Sequence, residues 1–428
     1  MSSFPSDWKR VVLGDVLDRI EAGRSFSGEP RQAEPDEWGI IKVSAMTYGT
    51  FHEYENKAVP KGTQFSTSAE IRPGDLILSR ANTREYVGAS VLVGECRPRL
   101  LLSDKSLRLH PSSNVDPRWL WYALSAPNSR RYLSNVSTGV KSGMRNISQT
   151  SLQAMPLAIP PLGEQRRIVD ILEDYLSRLD AASGNCDSNQ LKTVGLKRSL
   201  WQQVFAVRAE DQQWQVASLL DVARIANGQT PKGLTDRLVS TAQEDCIPFY
   251  KVGDMNLSDG RFMSTARFYV RKSDATLLGL HVRTPGTVLL PKRGGAIATN
   301  KKRILQAEAA YDLNTMGLEP SERVHAEFLW HWLQGIDLSR LADGSNVPQI
   351  NAPQIRDLRL PLPPLEIQQE VLVRMDKNLG ALNRLNSDLE HVQRKAAALR
   401  SALLATAFSG RLTGRASDMD LVGEMAGV

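Results

Sequence analysis

The chain is poor in cysteine. Its 428 residues include three, Cys96, Cys186 and Cys246, far apart and odd in number. That excludes a disulfide framework and a cysteine-built zinc site, and it points to a reducing compartment, so a cytoplasmic protein is expected. Long apolar runs are missing too: none reaches the roughly 18–20 residues a membrane helix needs. The stretch Met1–Arg10 has no apolar segment of the signal-peptide kind. Catalytic signatures are equally scarce. There is no G-x-x-x-x-G-K-[ST] phosphate loop, no G-x-G-x-x-G, no H-E-x-x-H and no G-x-S-x-G elbow. The Asn/Asp-Pro-Pro-aromatic tetrapeptide of enzymes that methylate DNA bases is absent. His325 and His331 flank Glu327 at a spacing that does not suit a helical zinc pair, and a packing or surface role is expected of both. What remains is an ordinary globular composition, 41% hydrophobic and 23% charged, with a net charge of +6 that permits a polyanionic partner without demanding one. At this length two or more domains are expected.

What the chain does have is a second copy of itself. Pro160-Pro161-Leu162-Gly163-Glu164-Gln165 returns as Pro363-Pro364-Leu365-Glu366-Ile367-Gln368, 203 residues later, and the offset then holds without a gap for about 40 residues. Upstream the match continues with small insertions. Trp8 and Leu13 answer to Trp214 and Leu219, Gly23 to Gly228, and Met46 to Met255; Pro73–Leu78 answers to Pro285–Leu290. Each copy is thus a variable region of about 155 residues followed by a near-constant region of about 45. The Pro-Pro pairs follow Ile159 and Leu362, which cannot hold an amine, and read as stiff punctuation ahead of a helix.

In the variable regions, short apolar runs bounded by Gly, Pro or Asp predict strands at Ile40–Val43, Asp75–Leu78, Val87–Val93 and Thr287–Leu290. Pro117–Ala126 and Ala326–Gln334 predict short helices, and core packing is expected for their tryptophans, Trp119, Trp121, Trp330 and Trp332. In the constant regions, apolar residues step by four and three. Ile168, Leu172, Leu179, Leu196 and Leu200 mark the seam in the first copy, and Val371, Met375, Leu382, Leu389, Leu399 and Leu403 in the second, with Leu385 and Val392 between them. That 3.5-residue mean is a coiled-coil seam. Gly184 and Gly195 weaken the first copy, and a bend is expected near Gly184–Asn189. About 40 helical residues reach about 60 Å, and the simplest partner for such a seam is the other copy. A twofold relation would make the two helices antiparallel and the molecule nearly circular.

The expected fold is therefore α/β (α+β), with two similar sheet-rich domains and two long helices forming an antiparallel coiled coil. The expected boundaries are 1–160 and 208–363 for the domains, 161–207 and 364–413 for the helices, and 414–428 for a loose tail. Basic and amide residues gather in matching loops of both domains. After the central strand lie Arg80, Asn82, Thr83 and Arg84 in the first, and Lys292, Arg293, Asn300, Lys301 and Lys302 in the second. Just before the helices lie Lys141 and Arg145, and Asn346 and Gln349. Arg and Lys suit phosphates and guanine, while Asn and Gln suit adenine, so these thirteen residues are the candidate nucleic-acid contacts. An ordinary solvated loop is the competing reading of each cluster.

The doubled Pro-Pro-Leu-x-x-Gln helix start resembles the specificity subunit of Type I restriction-modification systems. So does the order around it: an opening tryptophan, a glycine, Lys42-Val43 or Lys251-Val252, and Pro-Gly-x-Leu/Val-Ile/Leu-Leu. The resemblance covers nearly the whole chain, and Asn300-Lys301 and Asp312–Thr315 look like parts of the family's target recognition domain. It implies two such domains, each reading half of a bipartite double-stranded DNA sequence. The paired helices would space them and dock two adenine-methylating modification subunits, with restriction subunits joining the full complex. Catalysis would then lie in the partners, together with S-adenosylmethionine, Mg and ATP; this chain would hold no cofactor or metal and carry no catalytic residue. Two other readings stay open on residues alone: a self-sufficient methyltransferase or nuclease, which needs a cofactor pocket or metal carboxylates, and a tandem scaffold that binds only proteins.

Overall fold

The computed structural model describes residues 5–25, 28–139, 143–205, 214–258 and 260–412. The expected tail 414–428 and the candidate Lys141 lie outside them. The chain divides into two compact units, residues 1–187 with 390–428, and residues 188–389. Each unit joins one sheet domain to part of both long helices.

In the first unit an antiparallel sheet runs Leu17–Ala22, Ser106–Pro111, Leu76–Ser79, Ser90–Leu92. Beside it lies a three-stranded sheet, Asn56–Ala58, Gly39–Ile41, Leu100–Leu101. The second unit repeats the plan with Ala223–Asn227, Thr315–Pro320, Val288–Pro291 and Arg303–Leu305, and adds Phe262–Met263 at the edge. Gly23 and Gly228 explain why the repeat keeps a glycine there. A Cβ on the first would collide with the Ser103 carbonyl oxygen, and one on the second with that of Asp312. Three of the expected strands appear displaced by a residue or two, and the fourth, expected at Val87–Val93, is only Ser90–Leu92, because Val87 lies in the turn before it; Val43 begins a 3-10 turn through Met46 instead of ending a strand. The helix over Ala326–Gln334 has the expected bounds, and Pro117 opens the other, Pro117–Ser125, which Asp116 caps.

The Pro-Pro-Leu-x-x-Gln motif has a physical reason. Gln165 is 1% exposed; its Oε1 accepts from the Asp116 amide (2.8 Å) and its Nε2 donates to the carbonyls of Asn114 (3.1 Å) and Pro160 (2.9 Å). Gln368, fully buried, does the same: it accepts from His325 N (2.9 Å) and donates to the carbonyls of Arg323 and Pro363, both at 2.9 Å. A primary amide is the one neutral side chain that serves an N–H and two C=O groups at once. In both units it ties the start of the long helix to the loop ahead of the short one.

The long helices run Leu162–Phe205 and Leu365–Ala407. The first is unbroken through Gly184–Asn189, contrary to the expected bend. Cys186 is buried there, and Gln393 donates to the Asp187 carboxylate at 2.5 Å, so contacts with the other helix hold the segment in register. In the first unit Arg400 meets Asp180 and Gln393 meets Asp187, an antiparallel order. In the second, Lys197 donates to Asn383 at 2.8 Å. Ile168, Leu172 and Leu403 are buried in the first core; Val371 and Met375 are buried in the second, with Leu200 packed against it. Leu179 and Leu399 pack on the edge of the first core, and Leu382 and Leu389 are half-buried. Leu196 is a correction. It is 54% exposed, and the inward position next to it is Lys197; Leu385 and Val392, each 45% exposed, are likewise displaced by Asn386 and Gln393. A helix at 3.6 residues per turn drifts out of a strict 3.5 repeat, so the mid-seam becomes polar and the apolar side chains beside it rotate out.

Candidate nucleic-acid interface

The two loop clusters of each domain, about 60 residues apart in sequence, meet. In the first unit the strand Ala81–Asn82 pairs with Arg145–Asn146, which also pairs with Thr138–Gly139, and the Ile147 amide donates to the Arg80 carbonyl (2.8 Å). In the second, Gly294 N donates to Pro348 O (2.8 Å), Ile350 N to Lys292 O (2.9 Å), and Arg293 bridges Gln349. The same hydrogen bond, from an isoleucine just before the helical region to the first basic residue after the central strand, occurs in both.

Within these faces the candidate side chains divide into two kinds. Thr83 and Arg84 are exposed on a turn whose backbone is fixed from behind: Thr83 O accepts from Tyr86 N and Val87 N, Arg84 O from the Ser134 hydroxyl, and Glu85 O from the Arg130 guanidinium. With those carbonyls turned inward, the Arg84 side chain is left to solvent. Arg80 and Lys292 are half-exposed, and Arg293 and Asn346 exposed. Gln349 is half-exposed with its backbone engaged by Asp343. Lys301 reaches Asn256 Oδ1 at 2.6 Å on the rim.

Four candidates serve the frame instead. Asn82 is buried, with Oδ1 accepting from Thr83 N at 2.8 Å. Arg145 turns back onto the hydroxyl and carbonyl of Ser137. Lys302 is fully buried, and its Nζ donates to Asn300 Oδ1 and to Ile336 O, both at 2.7 Å. Burial pushes its ammonium down to about 7, with Asp337 opposing weakly. Asn300 sits in the left-handed region at φ 53° and also accepts from Leu338 N at 2.9 Å, so its side-chain oxygen is engaged internally. Asn300 and Lys302 therefore leave the surface set, because no ligand reaches a buried amine that two carbonyl oxygens already hold.

Sequence reasoning missed the braces Arg130 and Ser134, which lie 45 and 50 residues from the carbonyls they hold. It also missed Tyr48, 70% exposed and edge-on to Tyr86 with ring centroids 6.0 Å apart. The neighbouring Tyr48-Gly49 turn was the available signal: Gly49 has φ 81°. Trp119 is fully buried and Trp330 and Trp332 nearly so, as packing required. His331 is buried as well. Trp201 donates to its Nδ1 at 3.4 Å, and Arg261 lies between it, Glu327 and Asp376; desolvation, helped by Arg261, brings the imidazole down to about 4. Among the described residues no cluster of His, Cys, Asp or Glu could hold a metal ion, and no helix is long and apolar enough to cross a membrane.

Comparison with known proteins gives a consistent answer. The chain is 30% identical over 200 residues to the EcoEI specificity subunit of Escherichia coli, a match spanning 46% of this chain and 34% of that protein. It is 24% identical to the putative MjaX specificity subunit of Methanocaldococcus jannaschii over 88% of this chain and 87% of that one. Two solved structures share the fold. A chain from work on assembly and conformational transition of the type I R-M system has TM-score 0.76 at 21% identity, covering 96% of this chain and all of that one. The HsdS subunit of Thermoanaerobacter tengcongensis has TM-score 0.56 at 20% identity, covering 96% and 98%. The model of the Type I restriction modification DNA specificity domain matches twice, over residues 5–185 and 211–392, one match to each copy of the repeat. The chain therefore belongs to the Type I restriction-modification DNA specificity family.

Proposed function

We propose that this chain is the non-catalytic, sequence-reading subunit of a Type I restriction-modification complex. Each sheet domain reads one half of a bipartite duplex site, and the paired helices carry two adenine-methylating modification subunits, through which restriction subunits join. The observation that supports this best is that both domains, with different residues, bring the same two loops into one strand-paired face with exposed basic side chains. Arg80, Thr83, Arg84, Lys292, Arg293, Lys301, Asn346 and Gln349 form the retained contact set. Rigid strands behind variable loops suit a reader whose target differs between copies. The setting is the cytoplasm of a bacterium or archaeon, in keeping with three free cysteines.

The test uses the chain assembled with its modification subunits. Arg84→Ala and Arg293→Ala should each weaken duplex binding and lower the slope of log K against log salt by about 1, the signature of one lost phosphate contact. Unchanged slopes in both would remove this face from the interface. The purified chain alone, given labelled S-adenosylmethionine and DNA, should transfer no methyl groups; turnover would favour the enzyme reading.

A further inference from the structure

Resting on that placement of the interface, we infer that the turn Asp343–Gln349 reads one A·T base pair of the second domain's half-site, with the Asn346 amide on adenine and the Val347 methyls on thymine. The turn is built before any ligand arrives. Asp343 Oδ1 accepts from Ser345 N (3.2 Å), the Ser345 hydroxyl (2.7 Å) and Gln349 N (3.1 Å), and Asp343 N donates to Gln349 O (3.0 Å). The Ser345 hydroxyl also lies 2.7 Å from Val347 O, and Gly344 supplies the φ of 72° that the bend requires.

This frame consumes the turn's inward groups and leaves two side chains at its tip. Asn346 is exposed and makes no side-chain hydrogen bond among the described residues, and Val347 is 47% exposed. A lone exposed valine beside an unengaged amide has no packing role, and the pair matches what one A·T pair shows in the major groove. Adenine offers the N7 acceptor and N6 donor that a carboxamide meets bidentately, and thymine offers a methyl group. Arg293, bridged to Gln349 on the adjacent strand, is placed to hold the flanking phosphates. The repeat offset sets Gly143 and Met144 of the first domain against Asn346 and Val347, so the first domain lacks the amide and reads differently at this place.

The experiment expresses the chain with its modification subunits in a host without other adenine methylation and maps the methylated adenines. Wild type gives the two half-sites. Asn346→Ala, which removes no internal bond, should free one position of one half-site that is A·T in wild type, a loss of roughly fivefold to a hundredfold in discrimination. Arg293→Ala should lower methylation at all sites without changing their sequence. Replacing thymidine by deoxyuridine at the freed position should weaken wild-type binding by roughly fourfold, the value of one methyl group, and leave Val347→Gly unaffected. The inference falls if Arg293→Ala acts while Asn346→Ala leaves the sequence unchanged. It also falls if the freed position is G·C, or if Asn346→Ala merely lowers methylation everywhere. Silence of both substitutions would instead overturn the placement of the face.

Discussion

Lys302 shows how far a side chain's role depends on what the fold brings to it. In sequence it stands in the basic run Lys301-Lys302-Arg303 and resembles its neighbours. In the fold its stem is buried and its amine spans Asn300 and Ile336. Its folded pKa, about 7, lies below the ordinary lysine value, so between about pH 7 and 10 the unfolded chain binds the extra proton. The stability of the second unit should therefore rise with pH across that window, by about 1.4 kcal/mol per unit at most. Urea unfolding from pH 7 to 10 measures this, and Lys302→Met should flatten the slope. The two buried glutamines carry a second expectation. Gln165→Ala or Gln368→Ala strands an amide and two carbonyls and should cost about 2–5 kcal/mol. Gln→Glu should be no milder, because a carboxylate cannot donate to the two carbonyls; denaturant midpoints decide. The repeat pointed to these glutamines as part of a motif. Their three bonds could not be read from it, since the partners lie 43–51 residues upstream apart from the local prolines.

At the scale of elements, periodicity was legible and rotation was not. The long helices begin within two residues of the expected boundaries, because Pro-Pro ends a strand and fixes the first turn. Their apolar ends pack as expected, Ile168 and Leu172 on one side and Val371 and Met375 on the other. Their middle does not, because a 3.5-residue template rotates Leu196 inward while the helix rotates Lys197 there. Leu172→Ala should thus cost about 2–5 kcal/mol and Leu196→Ala well under 1, a contrast that thermal unfolding of the two variants reads directly. The candidate loops show the same division. Their pairing into one face could be guessed from matching positions in the two copies. Which members point outward was fixed by distant braces such as Arg130 and Ser134.

At the scale of the whole molecule, the two units are unequal in how the chain builds them. The second is one continuous stretch, residues 188–389, whereas the first needs residues 390–428 in addition to 1–187. Leu403, Leu404, Ala407 and Leu412 are buried in the first core, and Phe408 lies 5.6 Å from the Trp119 ring. A chain stopped after Leu389 should therefore destabilise the domain at the opposite end of the sequence, by more than a single large core truncation costs. Limited proteolysis should cut within residues 5–160 of the shortened chain before it cuts the second unit. Equal protection of both would contradict the shared core.

That division of the first core has a temporal side. A ribosome releases the first domain more than 200 residues before it makes the segment that closes it. At ordinary elongation rates the interval is on the order of tens of seconds. Throughout it, the Trp119 side of the core stands open to water, chaperones and other nascent chains, while the later-made domain has all its parts at residue 389, before the closing segment is made. The domain translated first is thus the last to be finished, and the hazards of synthesis fall on the domain that the cell makes earliest.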